Sequence, residues 1–236
     1  MGAVSALRYA RATTSEIRAM RRGLLVGAVI GLAAILSGAY ALRPAEVSPA
    51  AIRASVDQSP ELLNRAWSLP VALSYERSLT WQANGSFCGP ASVANLFRSI
   101  GEEETSEAEV LAGTGWCRLG FCWMGLTLDE LAEVARAHTD RRVTVLRDLT
   151  PDEFRRHLRA SNDPRKRYIV NFSREAIFGA GVGHHSPLGG YLEAEDLVFV
   201  LDVNERFKPW LVPREKLYSA VDTLDGEHKR GLLLIE

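Results

Sequence analysis

The chain has 236 residues, of which 47% are hydrophobic and 24% charged, with a formal net charge of -1. That length and composition supply one folded domain of roughly 150–200 residues with a real core, or at most two small ones. They exclude a disordered chain, a coiled coil and a polytopic membrane protein, while the near-neutral charge and only three cysteines exclude a broad nucleic-acid footprint and a disulfide-scaffolded miniprotein.

The charge is unevenly spread. Residues 1–22 form a basic lead with five arginines (Arg8, Arg11, Arg18, Arg21, Arg22) against one acid, Glu16. Residues 23–42, GLLVGAVIGLAAILSGAYAL, then run twenty positions without a charge and end at Arg43-Pro44. This length suits a bilayer-spanning helix or the apolar core of an export signal, and it lacks the polar face of a soluble core helix. The basic flank stays on the cytoplasmic side, so everything after residue 43 is expected outside the cytoplasm, periplasmic or anchored in the inner membrane. Ala39 and Ala41 suit signal cleavage, whereas a 22-residue lead is long for a signal peptide, and cleaved signal and retained anchor both stand. A buried helix is the alternative to either.

Residues 43–58 (RPAEVSPAAIRASVDQ) read as a linker, which places the folded domain at 59–236. Ser59-Pro60-Glu61 starts a helix, with proline at its first position. Residues 71–81 read as extended. Over 89–100 the apolar residues Val93, Leu96, Phe97 and Ile100 recur at helical spacing, and Gly101 is a stop. The acidic run from Glu102 to Glu109 reads as solvated surface, with Ser106 and Glu109 as a capping box; Thr127 with Glu130 is a second box and Thr150-Pro151-Asp152-Glu153 a third start, for helices to about residues 138 and 160. VTVLR at 143–147, RYIVNF at 167–172, DLVFVLDV at 196–203 and GLLLI at 231–235 read as strands. Helices gather in the first half of the domain and strands in the second, which favours an α+β fold with segregated layers. There is no glycine-rich phosphate loop and no zinc-type cysteine and histidine spacing.

Three places carry candidate chemistry. In WQANGSFCGPASVANLF, residues 81–97, Cys88 stands at a helix start, where the dipole favours a thiolate. Gln82, six residues upstream across an Asn84-Gly85 turn, is placed to donate its amide to an oxyanion beside Cys88. The plain alternative is that Cys88 is a buried apolar residue. In GAGVGHHSPLGGY, residues 179–191, two histidines lie in a glycine-rich turn leading into a strand. Asp202 ends the apolar run DLVFVL eighteen residues after His184, a spacing that suits a hairpin with the acid beside the imidazole. The alternatives there are a turn histidine and a strand-end turn former. A cysteine at a helix start with histidine and aspartate on later strands is the logic of a thiol protease.

These segments resemble the phytochelatin synthase family of the papain-like cysteine peptidases. QANGSFCGPAS is similar to the family's glutamine, five residues, cysteine and glycine pattern. GHHSPLGGY resembles its Gly-His-x-Ser-Pro-x-Gly-Gly-Tyr segment, and VLDVNERFKPWLVP its Leu-Asp-Val segment followed by Arg-Phe-Lys and a tryptophan. VNFSR at 170–174 and GLTLDELAEVA at 125–135 are also similar, so the resemblance runs from about residue 60 to 236. It implies a papain-like fold, with a helical half carrying the nucleophile and an antiparallel sheet half carrying histidine and aspartate.

Residue by residue, the resemblance implies Cys88 as nucleophile, His184 as general base and acid, Asp202 as orienter and Gln82 as oxyanion donor. His185 falls where the family has an aromatic residue and receives no chemistry. The implied substrate is glutathione, or a related thiol peptide, with γ-Glu-Cys carried as an acyl-enzyme and released by water or passed to a second glutathione. Asn171 and Arg174, on a strand expected next to His184, are candidates for binding the free carboxylates of glutathione. Arg206 is a weak third candidate, because its Arg-Phe-Lys stretch sits one residue further from Asp202 than in the family pattern. No cofactor is expected for the bond chemistry; a heavy-metal ion enters as a thiolate complex of the substrate. The cysteine-rich extension of plant members has no counterpart in the sequence, which makes hydrolysis the expected outcome over polymerisation.

Two alternatives remain at this level. One is a papain-like peptidase that trims leader peptides at glycine motifs, which shares the Gln82 and Cys88 arrangement. The other is a non-enzymatic exported thiol or metal-binding module using Cys117, Cys122 and the histidine pair. Cys117 and Cys122 lie five residues apart among glycines and are expected to form a disulfide in an oxidising compartment, with Cys88 left reduced.

Overall fold

The computed structural model describes residues 45–117, 122 and 125–236, together with Gly27, Gly31 and Leu32. The chain divides into two units, Met1–Pro44 and Ala45–Glu236, and the fold is that of the second. The expected basic lead and export segment lie outside the described residues apart from those three positions. Among the described residues, no helix is long and apolar enough to cross a membrane.

Residues 45–58 do not form the linker read from their composition. They contain a helix, α1 (Pro49–Ser55), capped by the Ser48 hydroxyl and started by its proline. Val47 and Ile52 are buried in the main core, Asp57 bridges to Leu211, and Gln58 Nε2 donates to the carbonyls of Phe207 and Pro209. Two well-placed aliphatic side chains suffice to bind this alanine-rich segment, which is why composition alone misses it. The helix α2 (Pro60–Ala66) starts where its sequence signal lies. Residues 71–81, expected extended, contain instead a 3₁₀ turn at Ala72–Ser74 and irregular chain.

α3 (Cys88–Ile100) ends on Gly101, whose φ of 77° is the left-handed conformation that glycine adopts without cost. α4 (Glu107–Leu111), α5 (Leu128–Arg136) and α6 (Pro151–Ala160) each open with the expected capping box. β1 (Val143–Leu146), β2 (Arg167–Ser173), β3 (Gly183–Leu192), β4 (Leu197–Val200), β5 (Trp210–Pro213) and β8 (Leu232–Ile235) build one antiparallel sheet in the order β1-β8-β2-β3-β4-β5. The helices α7 (Arg174–Phe178) and α8 (Arg214–Val221) and the small hairpin β6 (Leu224–Asp225) and β7 (His228–Lys229) complete the unit.

The sheet is buried on both faces. Along β4, Val198 and Val200 enter one core with Phe172, Trp210 and Leu217, while Phe199 packs on the other side against Trp67 and Val71. This is why its sequence reads as a continuous apolar run rather than an alternation. α3 and α5 cover the β1-β8-β2 end through Leu96, Phe97, Leu131, Ile169 and Leu233. A helical layer ahead of an antiparallel sheet is the α+β arrangement expected from the order of elements.

Candidate active site

Cys88 is the first residue of α3, and no side chain caps that helix. The first N–H groups of a helix have no intrahelical acceptor, so the thiol sits at the positive end of the dipole. The preceding loop is fastened on two sides. Asn95, further along α3, accepts from Thr80 N at 2.9 Å and donates to Thr80 O at 2.8 Å. Gln82 N donates to the carbonyl of Val203 at 2.8 Å, which ties the loop to the residue after Asp202. Near the cysteine, the Asn84 side chain accepts from Ser86 N and Oγ, and Ser86 Oγ accepts in turn from Cys122 N at 3.2 Å. The expected Cys117–Cys122 disulfide is present, with Cα atoms 3.9 Å apart, and Cys88 is free.

The hairpin of β3 and β4 brings histidine to aspartate. Its register shifts at a bulge between Leu188 and Gly190, where Gly190 has a φ of 116°, and a Cβ at the neighbouring Gly189 would collide with the Phe199 ring. This explains the glycine pair. His184 Nε2 lies 3.0 Å from Asp202 Oδ1. Asp202 is wholly buried and accepts three further bonds: from Arg174 Nη2 at 2.9 Å, Asn204 N at 2.9 Å and Trp210 Nε1 at 3.0 Å.

The electrostatics follow from this packing. Burial alone raises an acid, but the charges of Arg174 and His184 outweigh it and hold the Asp202 carboxyl well below the usual carboxylate range. For His184, burial and Arg174 favour the neutral ring, yet Asp202 and the Cys88 sulfur prevail and raise its pKa. Burial likewise pushes the Cys88 thiol up, and the charge of His184, with hydrogen bonding from both His184 and His185, brings it well below the ordinary thiol value. A lowered thiol and a raised imidazole favour a thiolate–imidazolium pair. The sulfur lies 3.8 Å from His185 Nδ1.

The other predicted site residues are placed as follows. Arg174 is buried behind Asp202, donating to it at 2.9 Å, and stacks over Phe207, 3.5 Å from the ring centroid. Arg206 turns to Glu46 and the Val47 carbonyl, away from Asp202. Asn171 is buried opposite His185, donating to Asp225 Oδ2 at 2.6 Å and accepting from Arg230 Nη1 at 2.7 Å. Gln82 Nε2 donates to the Asn84 carbonyl at 2.8 Å, which engages one of its two amide N–H groups. Sequence reasoning missed Asp225 and Arg230, which pair at 3.1 Å, because a short hairpin and a lone basic residue before a strand carry no local signal. Among the described residues, no group of histidine, cysteine, aspartate and glutamate is arranged to hold a metal ion.

Residues 121–232 match the phytochelatin synthase family. Glutathione gamma-glutamylcysteinyltransferase 2 of Arabidopsis thaliana is 36% identical over 91 residues, 36% of this chain and 20% of that protein. Glutathione gamma-glutamylcysteinyltransferase of Schizosaccharomyces pombe is 31% identical over 118 residues, 48% of this chain and 28% of that protein. The chain thus spans well under a third of the length of these curated relatives. A crystal structure described as a C39-like peptidase from Bacillus anthracis superposes with a TM-score of 0.50 at 13% identity, covering 70% of this chain and 96% of that one, a likeness of fold alone. The resemblance read from the motifs is borne out over the matched residues, which contain His184 and Asp202; Gln82 and Cys88 precede them.

Proposed function

Residues 121–232 belong to the phytochelatin synthase family, and from that premise we propose that the chain cleaves the Cys–Gly bond of glutathione through an acyl-enzyme on Cys88. The observation that carries this reading is the buried Cys88 thiol at the start of α3, made more acidic by His184 and His185, with His184 held by Asp202 at 3.0 Å. The names of the relatives point to glutathione as substrate, and we read Cys88 as nucleophile, His184 as proton carrier and Asp202 as orienting acid.

His184 takes the proton of Cys88, and the thiolate attacks the carbonyl carbon of the cysteinyl residue of glutathione. The oxyanion lies against the Cys88 backbone N–H and the second amide N–H of Gln82, a kind of donor worth about 3–4 kcal/mol to the transition state. His184 then protonates the glycine nitrogen as the C–N bond breaks, leaving a γ-Glu-Cys thioester. Water, deprotonated by His184, releases γ-Glu-Cys; the amine of a second glutathione in its place gives the longer peptide. Asp202 keeps the ring oriented, and Arg174 keeps Asp202 charged. Asn171, Asp225 and Arg230 offer an amide, a carboxylate and a guanidinium that complement the zwitterionic γ-glutamyl end. No resident metal takes part in the bond chemistry; a heavy-metal ion enters as the thiolate complex of the substrate. The Cys117–Cys122 disulfide supports export to an oxidising compartment through residues 23–42.

The test is glycine release from glutathione by the full chain without added metal. Cys88→Ala and His184→Ala are each expected to abolish it, and chromatography of the products separates γ-Glu-Cys from longer peptides. Wild-type turnover by Cys88→Ala overturns the assignment.

A further inference from the structure

The strand that carries His184 carries a second histidine to which the reaction above gives no task. In the register of β2 and β3 His184 lies opposite Phe172 and its Nε2 meets Asp202, while His185 lies opposite Asn171 and its Nδ1 meets Cys88. Its side chain is buried, with Nδ1 3.8 Å from Cys88 Sγ. The backbone holds this contact: Ser92 Oγ lies 2.7 Å from the carbonyl oxygen of Cys88 and 3.0 Å from that of His185, so one hydroxyl joins the two residues.

Among the described residues, the far ring nitrogen, Nε2, is buried without a hydrogen-bond partner. A buried N–H with no acceptor forfeits its full hydration, whereas a bare ring lone pair loses less. The proton therefore belongs on Nδ1, the nitrogen that faces sulfur. We propose that His185 is a second catalytic imidazole, donating Nδ1–H to the Cys88 thiolate and stabilising it independently of His184. The proposal rests on Cys88 being the nucleophile. The two rings divide the work. His184, backed by Asp202, carries the proton from sulfur to the departing glycine nitrogen. Among the described residues no carboxylate is bonded to His185, and its part is that of a donor rather than a proton carrier; its hydrogen bond is strong to the anionic sulfur and weak once that sulfur is a thioester, which favours the thiolate as resting and leaving species.

Several charged groups surround the sulfur: His184 with Asp202 and Arg174 behind it, and Arg230 with its partner Asp225 across the cleft. All remain when His185 alone is replaced. The experiment is alkylation of Cys88, the free thiol, by iodoacetamide across a pH series in the full oxidised chain. His185→Phe keeps a flat ring and removes the donor; His185→Gln keeps an N–H. The Phe variant is expected to alkylate about tenfold more slowly on the acid side, its profile displaced by about one pH unit, with the Gln variant between it and wild type. An unmoved profile in His185→Phe overturns the proposal, as does an equal displacement in both variants. The readout needs no glutathione: separated profiles without glycine release by wild type sink the substrate reading and leave this one standing, whereas glycine release with coincident profiles does the reverse.

Discussion

Arg174 meets the site through its pairing with Asp202. Its side chain is 6% exposed and its partner Asp202 is 0% exposed, so removing it leaves a buried carboxylate with one fewer counter-charge. Breaking such a pair costs about 3–5 kcal/mol, more than a surface arginine contributes. Arg174 also lowers the pKa of His184, so its removal raises the imidazolium further. Activity through a thiolate–imidazolium pair rises with pH through the lowered Cys88 transition and falls through the raised His184 one, both belonging to the coupled pair. Arg174→Gln is therefore expected to lower thermal stability and to move the alkaline limb of kcat/KM to higher pH. A normal melting temperature with an unshifted profile contradicts this role. The sequence made Cys88, His184 and Asp202 legible because each sits at an element boundary with a recognisable pattern. The role of Arg174 was not legible: its contact with Asp202 spans 28 residues and depends on the α7 turn, which no periodicity announces.

At the scale of elements, the β3–β4 hairpin decides whether histidine meets aspartate. Its register is set by the apolar faces of β4 and by the bulge at the two glycines. A Cβ at Gly189 has no room beside Phe199 and comes close to Leu201, so Gly189→Ala must push β4 outward. Overpacking of this kind costs about 1–3 kcal/mol. Because Asp202 follows β4 directly, the displacement also reaches the His184 hydrogen bond. Gly189→Ala is expected to lose several degrees in melting temperature and to lose activity out of proportion to the fraction unfolded; a variant as active as wild type shows that the register tolerates the methyl. The helix starts at Thr127 and Thr150 were readable because capping is local chemistry within four residues, and the one at Ser59 because a proline stands at its first position. β5 and α8 were not, since a four-residue strand beginning at a tryptophan and a helix with a weakly segregated apolar face depend on partners far along the chain.

At the scale of the whole unit, the stretch at 45–58 is a strap on the C-terminal half rather than a spacer. Gly181 N, just before β3, donates to Ala45 O at 3.0 Å, and Lys216 Nζ of α8 donates to Ser55 O at 3.0 Å. Gln58 then holds the carbonyls of Phe207 and Pro209 in the loop between Asp202 and Trp210. The strap so fixes the chain on both sides of the His184–Asp202 hairpin. Its buried Val47 and Ile52 are worth roughly 1.5–3 kcal/mol each. Cutting the chain at residue 58, the boundary drawn from composition, removes both side chains and frees the Asp202 loop. Cutting at residue 44, the boundary of the compact unit, removes neither. For a unit of this size each kcal/mol shifts the melting temperature by about 2–4 °C. A chain beginning at residue 45 is expected to melt well above one beginning at residue 59, with the difference on the order of 10 °C, and to release glycine from glutathione where the shorter one is impaired. Scanning calorimetry and the glycine assay on the two truncations check this together. Equal melting temperatures return residues 45–58 to the status of a linker, and equal turnover after a fall in stability confines the strap to holding the fold.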